Sequence, residues 1–351
     1  LFALSPLPRT LPAALRDARA AKPDVRRSAL RDLVRHAVGE RRSEVVACLE
    51  SVLAGDADPA VRAEAAMALA DAAAGEALAA LLAATEDAHL RVRQLALVAI
   101  GELGEPGDPL VRAALEAARH HEAPALRYQA LIGLARTTPG GATELLLAAT
   151  RDPDAAVRHV AVRLLEERLS IATEGGPRAP RLKLPPGAEP RLRALLRDDA
   201  PRVRLAAAIL LARCGVDAGF AAIAAAVNAA SGSYEADDEH AAVELAGAHQ
   251  LAAARRGLTR RAFGRFGFSL DPTALAARIA LARCGDPRAV GAILRGLGAR
   301  TREARTLAAL AAGRARLEAA RPLLRALRGA PDRADPAVVE EALAQLDATV
   351  D

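Results

Sequence analysis

Between Arg255 and Phe268 the chain places five arginines and three of its five phenylalanines within 14 residues. Guanidinium forks match phosphate and carboxylate oxygens, and rings offer a stacking face, so this interleaving is the pattern of an anion or nucleic-acid contact. The same residues have a plainer use. The phenylalanines can plug a core where elements join, while the arginines meet Glu235, Asp237, Asp238 and Glu239, expected as an acidic loop just upstream. Gly257, Gly264 and Gly267 argue against one rigid helix through the segment. Arg255, Arg256, Arg260, Arg261 and Phe266 are therefore the expected partner contacts. A second basic stretch lies in Ile171–Pro190, where five prolines and three glycines forbid a continuing helix. There Arg181 and Lys183 flank Leu182 and Leu184, a basic and apolar latch for a partner or for the rest of the chain.

Residues for catalysis or metal binding are sparse. His240 and Glu244 share a helix face at i, i+4, but His249 falls round the far side. Two ligands make no site without a third and its supporting partners, so a solvated acidic loop is the reading. His120-His121-Glu122 reads as a helix-end turn before Pro124. Cys48, Cys214 and Cys284 are odd in number and far apart, with no CxxC or Cys/His spacing. They read as free, core-filling thiols in a reducing compartment. No Gly-rich phosphate loop, Gly-x-Ser-x-Gly elbow or placed Cys/His pair is present. The expectation is a protein that is no enzyme and carries no cofactor.

The elements that must carry these residues are announced by a recurring phrase: an acidic residue, often a proline, then Val-Arg and an alanine-rich apolar run. It stands as Pro23-Asp24-Val25-Arg26, Asp58-Pro59-Ala60-Val61-Arg62, Leu90-Arg91-Val92-Arg93, Ala125-Leu126-Arg127, Asp154-Ala155-Ala156-Val157-Arg158 and Pro201-Arg202-Val203-Arg204. Its apolar anchors are 36, 31, 34, 31 and 46 residues apart. That period in an all-helical chain means stacked helix pairs. Taking the phrase as the turn inside each pair gives pairs over roughly 11–37, 43–73, 76–103, 109–136, 142–169, 189–213, 218–248, 249–284, 286–312 and 314–347. Val61, Ala65, Leu69 and Ala72 form one apolar stripe, with Asp58 as N-cap and Pro59 in the first turn. Gly75, Gly101, Gly215 and Gly285 are placed to stop second helices in a left-handed turn.

These residues resemble the HEAT-repeat family, in the bacterial form shared with phycobilisome-lyase-like repeats. Its Val-Arg-x-x-Ala-Ala-x-x-Leu pattern appears as Val61-Arg62-Ala63-Glu64-Ala65-Ala66-Met67-Ala68-Leu69, and as Val157-Arg158 with Ala161 and Leu164-Leu165. The resemblance runs through about residues 20–215 and fades over 235–315. It implies a right-handed α-solenoid of about ten HEAT-like pairs: an N-terminal half over 1–169, an insertion over 170–190, and a more irregular half over 191–351, in one continuous array. It also implies a ladder between neighbouring repeats, with Asp24, Asp58, Asp87 and Asp154 pairing with Arg26, Arg62, Arg93 and Arg158.

Composition agrees with this architecture. The 52% hydrophobic content is mostly Ala and Leu, and only 2% of residues are aromatic. Small side chains suit closely packed helices rather than a sandwich or barrel. The net charge of +5 comes almost wholly from arginine, since Lys22 and Lys183 are the only lysines. Arginines spent on a ladder do not form a nucleic-acid surface, so the basic balance alone says little. No apolar run approaches the 18 residues of a membrane span. The chain begins at Leu1, which reads as a trimmed product that could have lost a leader, and the thiols point to the cytoplasm. The expected function is a non-enzymatic scaffold that holds another protein on its concave face or insertion loops. Nucleic-acid binding through the Arg/Phe segment 255–268, either non-catalytic or resembling the HEAT-like alkyl-base DNA glycosylases, is the first alternative. A subunit resembling the bilin lyases is the second.

Overall fold

The computed structural model describes residues 8–138, 140–171, 182–263 and 271–348. Among these the chain is all α, with no strand. The helices are α1 (Leu11–Asp17), α2 (Pro23–Val34), α3 (Arg42–Gly55), α4 (Pro59–Asp71), α5 (Leu78–Ala84), α6 (Leu90–Leu103), α7 (Pro109–Arg119), α8 (Pro124–Thr137), α9 (Ala142–Ala149) and α10 (Ala155–Ile171). They continue with α11 (Ala188–Leu195), α12 (Pro201–Arg213), α13 (Phe220–Asn228), α14 (Ala236–Ala248), α15 (Arg255–Ala262), α16 (Pro272–Arg283), α17 (Pro287–Leu297), α18 (Arg302–Arg314), α19 (Arg321–Arg328) and α20 (Pro336–Asp347). Apart from α9, each odd helix packs against the even helix that follows it. No described helix is long and apolar enough to cross a membrane.

The recurring phrase starts the even helices. At α4, Pro59 takes the first turn, where no N–H is needed, and the Asp58 carboxylate accepts from the Ala60 N–H at 2.7 Å. Asp271 and Asp335 cap α16 and α20 in the same way. Five even helices share one ending, in which the N–H two residues past the helix cap reaches a carbonyl five residues back. The pairs are Ala74–Leu69, Val216–Leu211, Leu251–Ala246, Asp286–Leu281 and Leu317–Ala312, at 2.9 to 3.0 Å. This closure needs a left-handed residue at its centre. Gly215 and Gly285 supply it as expected, with φ of 80° and 74°. Ala73, Gln250 and Arg316 supply it elsewhere, with φ of 49° to 51°. Gly75 and Gly101 do not: Gly75 opens a 3-10 turn, and Gly101 lies inside α6 against the Gly133 backbone of α8. Close helix approach is the demand that Gly101 meets.

The chain forms two compact units, Leu1–Arg168 and Leu169–Asp351. Within the first, α2, α4, α6 and α8 pack side by side, whereas α3, α5 and α7 touch one another sparsely. In the second, the close neighbours are again even, α14 with α16 and α18 with α20. The even helices thus form the more closely packed layer of each unit. Small residues allow this approach; a Cβ on Gly247 of α14 would lie 2.6 Å from the Ala280 Cα of α16. Each unit has its own core, set by fully buried residues such as Leu30, Leu49, Leu69 and Ile100 in the first and Ile209, Ile223, Leu281 and Leu324 in the second.

One local expectation is corrected. The acidic stretch after Tyr234 is not a loop. α14 begins at Ala236, so Asp237, Asp238 and Glu239 occupy its first turn, where carboxylates suit the exposed N–H groups. In the arginine-rich segment, α15 takes Arg255 to Ala262, residues 264–268 lie outside the described residues, and Gly257 lies against the Val227 carbonyl of α13, where no side chain fits.

Candidate functional site

The ladder residues reveal what the recurring arginine does. In seven of the ten second helices the fourth residue is an arginine that folds back and donates from Nη1 to carbonyls of its own preceding turn. Arg26 reaches Ala20 and Ala21, Arg127 reaches His121 and Glu122, and Arg158 reaches Asp152 and Pro153, at 2.7 to 3.0 Å. Arg204 and Arg305 do the same, and Arg305 lacks the preceding valine, which is why the sequence pattern missed it. The other face of the fork bridges to the next pair. Arg26 grips Asp56 at 2.7 and 2.8 Å, Arg62 grips Asp87 at 2.7 and 2.8 Å, and Arg127 grips Asp152 at 2.8 and 2.7 Å. Each is a two-bond arginine–carboxylate fork.

The ladder thus runs in a register different from the expected one. The bridging aspartate stands two residues before the N-cap, and it belongs to the following pair. Asp58 and Asp154 are N-caps, accepting from Ala60 and Ala156. Asp24 is almost fully exposed and comes no nearer to an arginine than 3.8 Å, to Arg27. Of the four expected carboxylates, Asp87 is the one in a rung, and its partner is Arg62 rather than Arg93. A carboxylate at the cap is already committed to backbone N–H groups, so the arginine takes the aspartate beside it. The Arg62 fork, aided by the His89 N–H and opposed by burial, holds the Asp87 carboxyl below its ordinary value.

The arginine-rich segment is largely consumed by its own fold. Arg261 is buried, donates to the Val227 carbonyl and lies 3.6 Å from Glu239, so it is not the exposed contact expected of it. Burial pushes its guanidinium below its ordinary value. Arg260 donates to the carbonyls of Asn228 and Ala229, and Arg255 pairs with Asp286 at 3.1 Å. Phe263 packs against the core, with the Arg288 guanidinium 4.6 Å above its ring. Arg256 is exposed. Phe266 and Arg181 lie outside the described residues, and Lys183 lies in the irregular stretch before α11. Of the described ones, the structure turns Arg261 inward and leaves Arg255, Arg256 and Arg260 exposed.

It does bring together residues that the sequence reading did not single out. On the even layer of the second unit, a groove of about 720 Å³ runs past α12, α14, α16, α18 and α20. Arg213, Arg283 and Arg314 are the last residues of α12, α16 and α18, and Arg316 follows in the left-handed turn. Helix C-termini favour cations, which explains the placement locally. Facing them are Glu244 and Glu341, with Ala241, Leu245, Ala344 and Ala348 forming an apolar floor. Arg283 donates through Nε and Nη2 to the Arg314 carbonyl at 3.0 and 2.8 Å. Glu244 serves the groove from its centre, 3.9 Å from Arg314 and 3.6 Å from His240. The His240–Glu244 pair is therefore part of a charged surface. Burial, then the charge of Arg316, press the Arg283 guanidinium below its ordinary value, with Glu244 opposing. Four guanidinium groups against two carboxylates leave the groove cationic and suited to carboxylate oxygens. The repeated Ala-Arg-Cys-Gly phrase at 212–215 and 282–285 was the signal in the sequence. Its cysteines, Cys214 and Cys284, are half-buried helix caps, and the arginines beside them line the groove.

Residues 9–101 and 47–118 match the family described as HEAT repeats. Compared with curated proteins, the chain has no significant match. Among solved structures it is similar to an engineered protein, at 18% identity and a TM-score of 0.48 over 96% of this chain and 98% of that one. The phycocyanin lyase complex of CpcE and CpcF from Nostoc sp. is similar at 20% identity and a TM-score of 0.42, covering 73% and 95%. Kap95p, solved bound to RanGDP, is similar at 12% identity and a TM-score of 0.50, covering 95% of this chain and 51% of that one. At such identities the likeness is one of fold, an α-solenoid of helix pairs.

Proposed function

We propose that the chain, an α-solenoid whose residues 9–118 match HEAT repeats, is a non-enzymatic scaffold. Its groove along the even layer of the second unit holds an acidic segment of a partner protein. The observation that carries this reading is the set Arg213, Arg283, Arg314 and Arg316 gathered over an alanine floor, outnumbering Glu244 and Glu341. Guanidinium forks would take the partner's carboxylates, while the apolar floor would take the stems between them. Solenoids bind through such extended inner surfaces, built from side chains that successive repeats repeat. The engagement of Arg255, Arg260 and Arg261 within their own unit weighs against the nucleic-acid alternative.

The test is affinity purification from source lysate with the full chain and with an Arg283→Glu/Arg316→Glu double variant, each with and without nuclease. A defined protein that survives nuclease and falls at least roughly tenfold with the double variant supports the reading. Equal recovery by the variant refutes it. Recovery that collapses on nuclease treatment transfers the groove to a nucleic acid, and turnover of a defined small molecule would end the non-enzymatic claim.

A further inference from the structure

We infer that the cleft between the third and fourth helix pairs, in the first unit, is a carboxylate-binding site in which a ligand's carboxylate completes the rung at Arg93. Arg93 occupies the same place in α6 as Arg26, Arg62 and Arg127 do in α2, α4 and α8. Its Nη1 makes the usual return to its own turn, donating to the Asp87 and Ala88 carbonyls at 2.7 and 3.2 Å. The other three arginines give Nε and Nη2 to an aspartate of the next pair. Arg93 gives them to nothing: its Nε is fully buried without an acceptor.

The cause is one substitution in the repeat. Where the second, third and fifth pairs place Asp56, Asp87 and Asp152, the fourth places His121. The imidazole performs half of the aspartate's task. Its Nδ1 accepts the Ala123 N–H at 2.9 Å, as Asp56 and Asp152 accept the N–H of Asp58 and Asp154 at 2.9 and 2.8 Å. A neutral ring that accepts at Nδ1 carries its proton on Nε2. It is therefore a donor on its free side and offers an arginine no acceptor. Arg93 is half-buried, but a buried N–H without an acceptor is costly, and the group that fits a guanidinium fork is an anion.

The space for that anion is present. A cavity of about 270 Å³ is lined by Arg93 and His121, with Thr85, Leu97 and Leu126 around them. Glu86 also lines it, but makes no ion pair with Arg93 within 4.0 Å among the described residues. The neighbouring cleft, about 430 Å³, provides the contrast, because there the Arg127–Asp152 rung is closed. The carboxylates of Asp56, Asp87 and Asp152 show that the group fits this geometry at 2.7 to 2.8 Å. A ligand carboxylate would meet two parallel donors on Arg93 and a third on His121. It comes either from a free small carboxylate or from an acidic side chain of a bound protein. The site is separate from the groove of the second unit and stands whether or not that groove binds a partner.

The test is ¹⁵N NMR of the arginine Nε–H signals in the full chain, titrated with sodium acetate, with neutral acetamide, and with sodium chloride at matched ionic strength. A saturable shift of the Arg93 signal with acetate, absent with acetamide and chloride, is expected. N-acetyl-aspartate amide binding several-fold tighter than acetate identifies an acidic side chain as the source; equal or weaker binding identifies a free carboxylate. His121→Asp should close the rung internally, moving the Arg93 signal to its bound position without ligand and abolishing the acetate response. No saturable shift with acetate, an equal shift with acetamide, or an undiminished acetate response in His121→Asp overturns the assignment. The titrations of the unaltered chain decide the matter even if the variant fails to fold.

Discussion

Replacing Arg62 by alanine removes the best-defined rung of the ladder, and the structure gives the size of the effect. Arg62 makes two charge-assisted bonds to Asp87 and one to the Asp56 carbonyl, and both side chains of the pair are less than one-fifth exposed. Asp87 keeps the His89 N–H at 2.8 Å and some contact with water, so it is not stranded outright. Bonds to charged groups contribute about 1.5–3 kcal/mol each when removed singly, and paired bonds overlap, so a loss of about 3 kcal/mol is expected. For a unit of this size that corresponds to roughly 6–12 °C in Tm. The assay is a urea titration read by amide hydrogen exchange in α4 and α6, combined with Asp87→Ala in a double-mutant cycle. The two losses should fall short of additivity by about 1–2 kcal/mol. Acid supplies an independent check. The Asp87 carboxyl titrates lower in the folded chain than when unfolded, so the rung's contribution is complete above the ordinary aspartate value of about 3.9. It is lost as pH falls through the lower folded value, and the gap between parent and variant should close there. A loss below about 1 kcal/mol, additive single losses, or a gap that does not narrow as pH falls below the ordinary aspartate value would refute the reasoning.

Two further predictions concern backbone geometry. Ala73 and Gln250 hold the left-handed position that Gly215 and Gly285 hold elsewhere, so Ala73→Gly and Gln250→Gly should each stabilise the chain, by about 0.5–1 kcal/mol in denaturant titrations; a loss of stability would contradict the strain argument. Gly247→Ala must push α14 away from the Ala280 backbone of α16, at a cost of about 1–3 kcal/mol, and the same titration measures it; a neutral effect would mean that the two helices are not held at this separation.

The period of the Val-Arg phrase carried the fold, because helix pairs of similar length must recur with it. All ten pairs stand close to where the phrase and its apolar stripes placed them. What the period does not contain is the register between repeats. Arg62 and Asp87 belong to different pairs, and which carboxylate faces which fork depends on how α4 and α6 stack, so the rungs were misassigned by two residues or by one pair. Gly101 was read as a stop because a glycine after an apolar run has two possible reasons, and only the contact with Gly133 separates them. The groove stayed hidden for a related reason. Arg213, Arg283, Arg314 and Arg316 span more than a hundred residues and converge only when even helices lie side by side. The arginines of α15 drew attention because they are dense in sequence, yet density there reflects three backbone carbonyls and two carboxylates that they serve.

The central claim is that a partner protein lies in the even-layer groove of the second unit. Site-specific photocrosslinking tests it most directly, with p-benzoylphenylalanine in place of Gln345, which lines the groove, and separately in place of Leu323, exposed on α19. The account predicts capture of a defined protein from position 345 and not from 323, and loss of that capture when Arg283→Glu and Arg316→Glu are added. Capture from 323 alone, or capture from 345 that is indifferent to the two arginines, would contradict it.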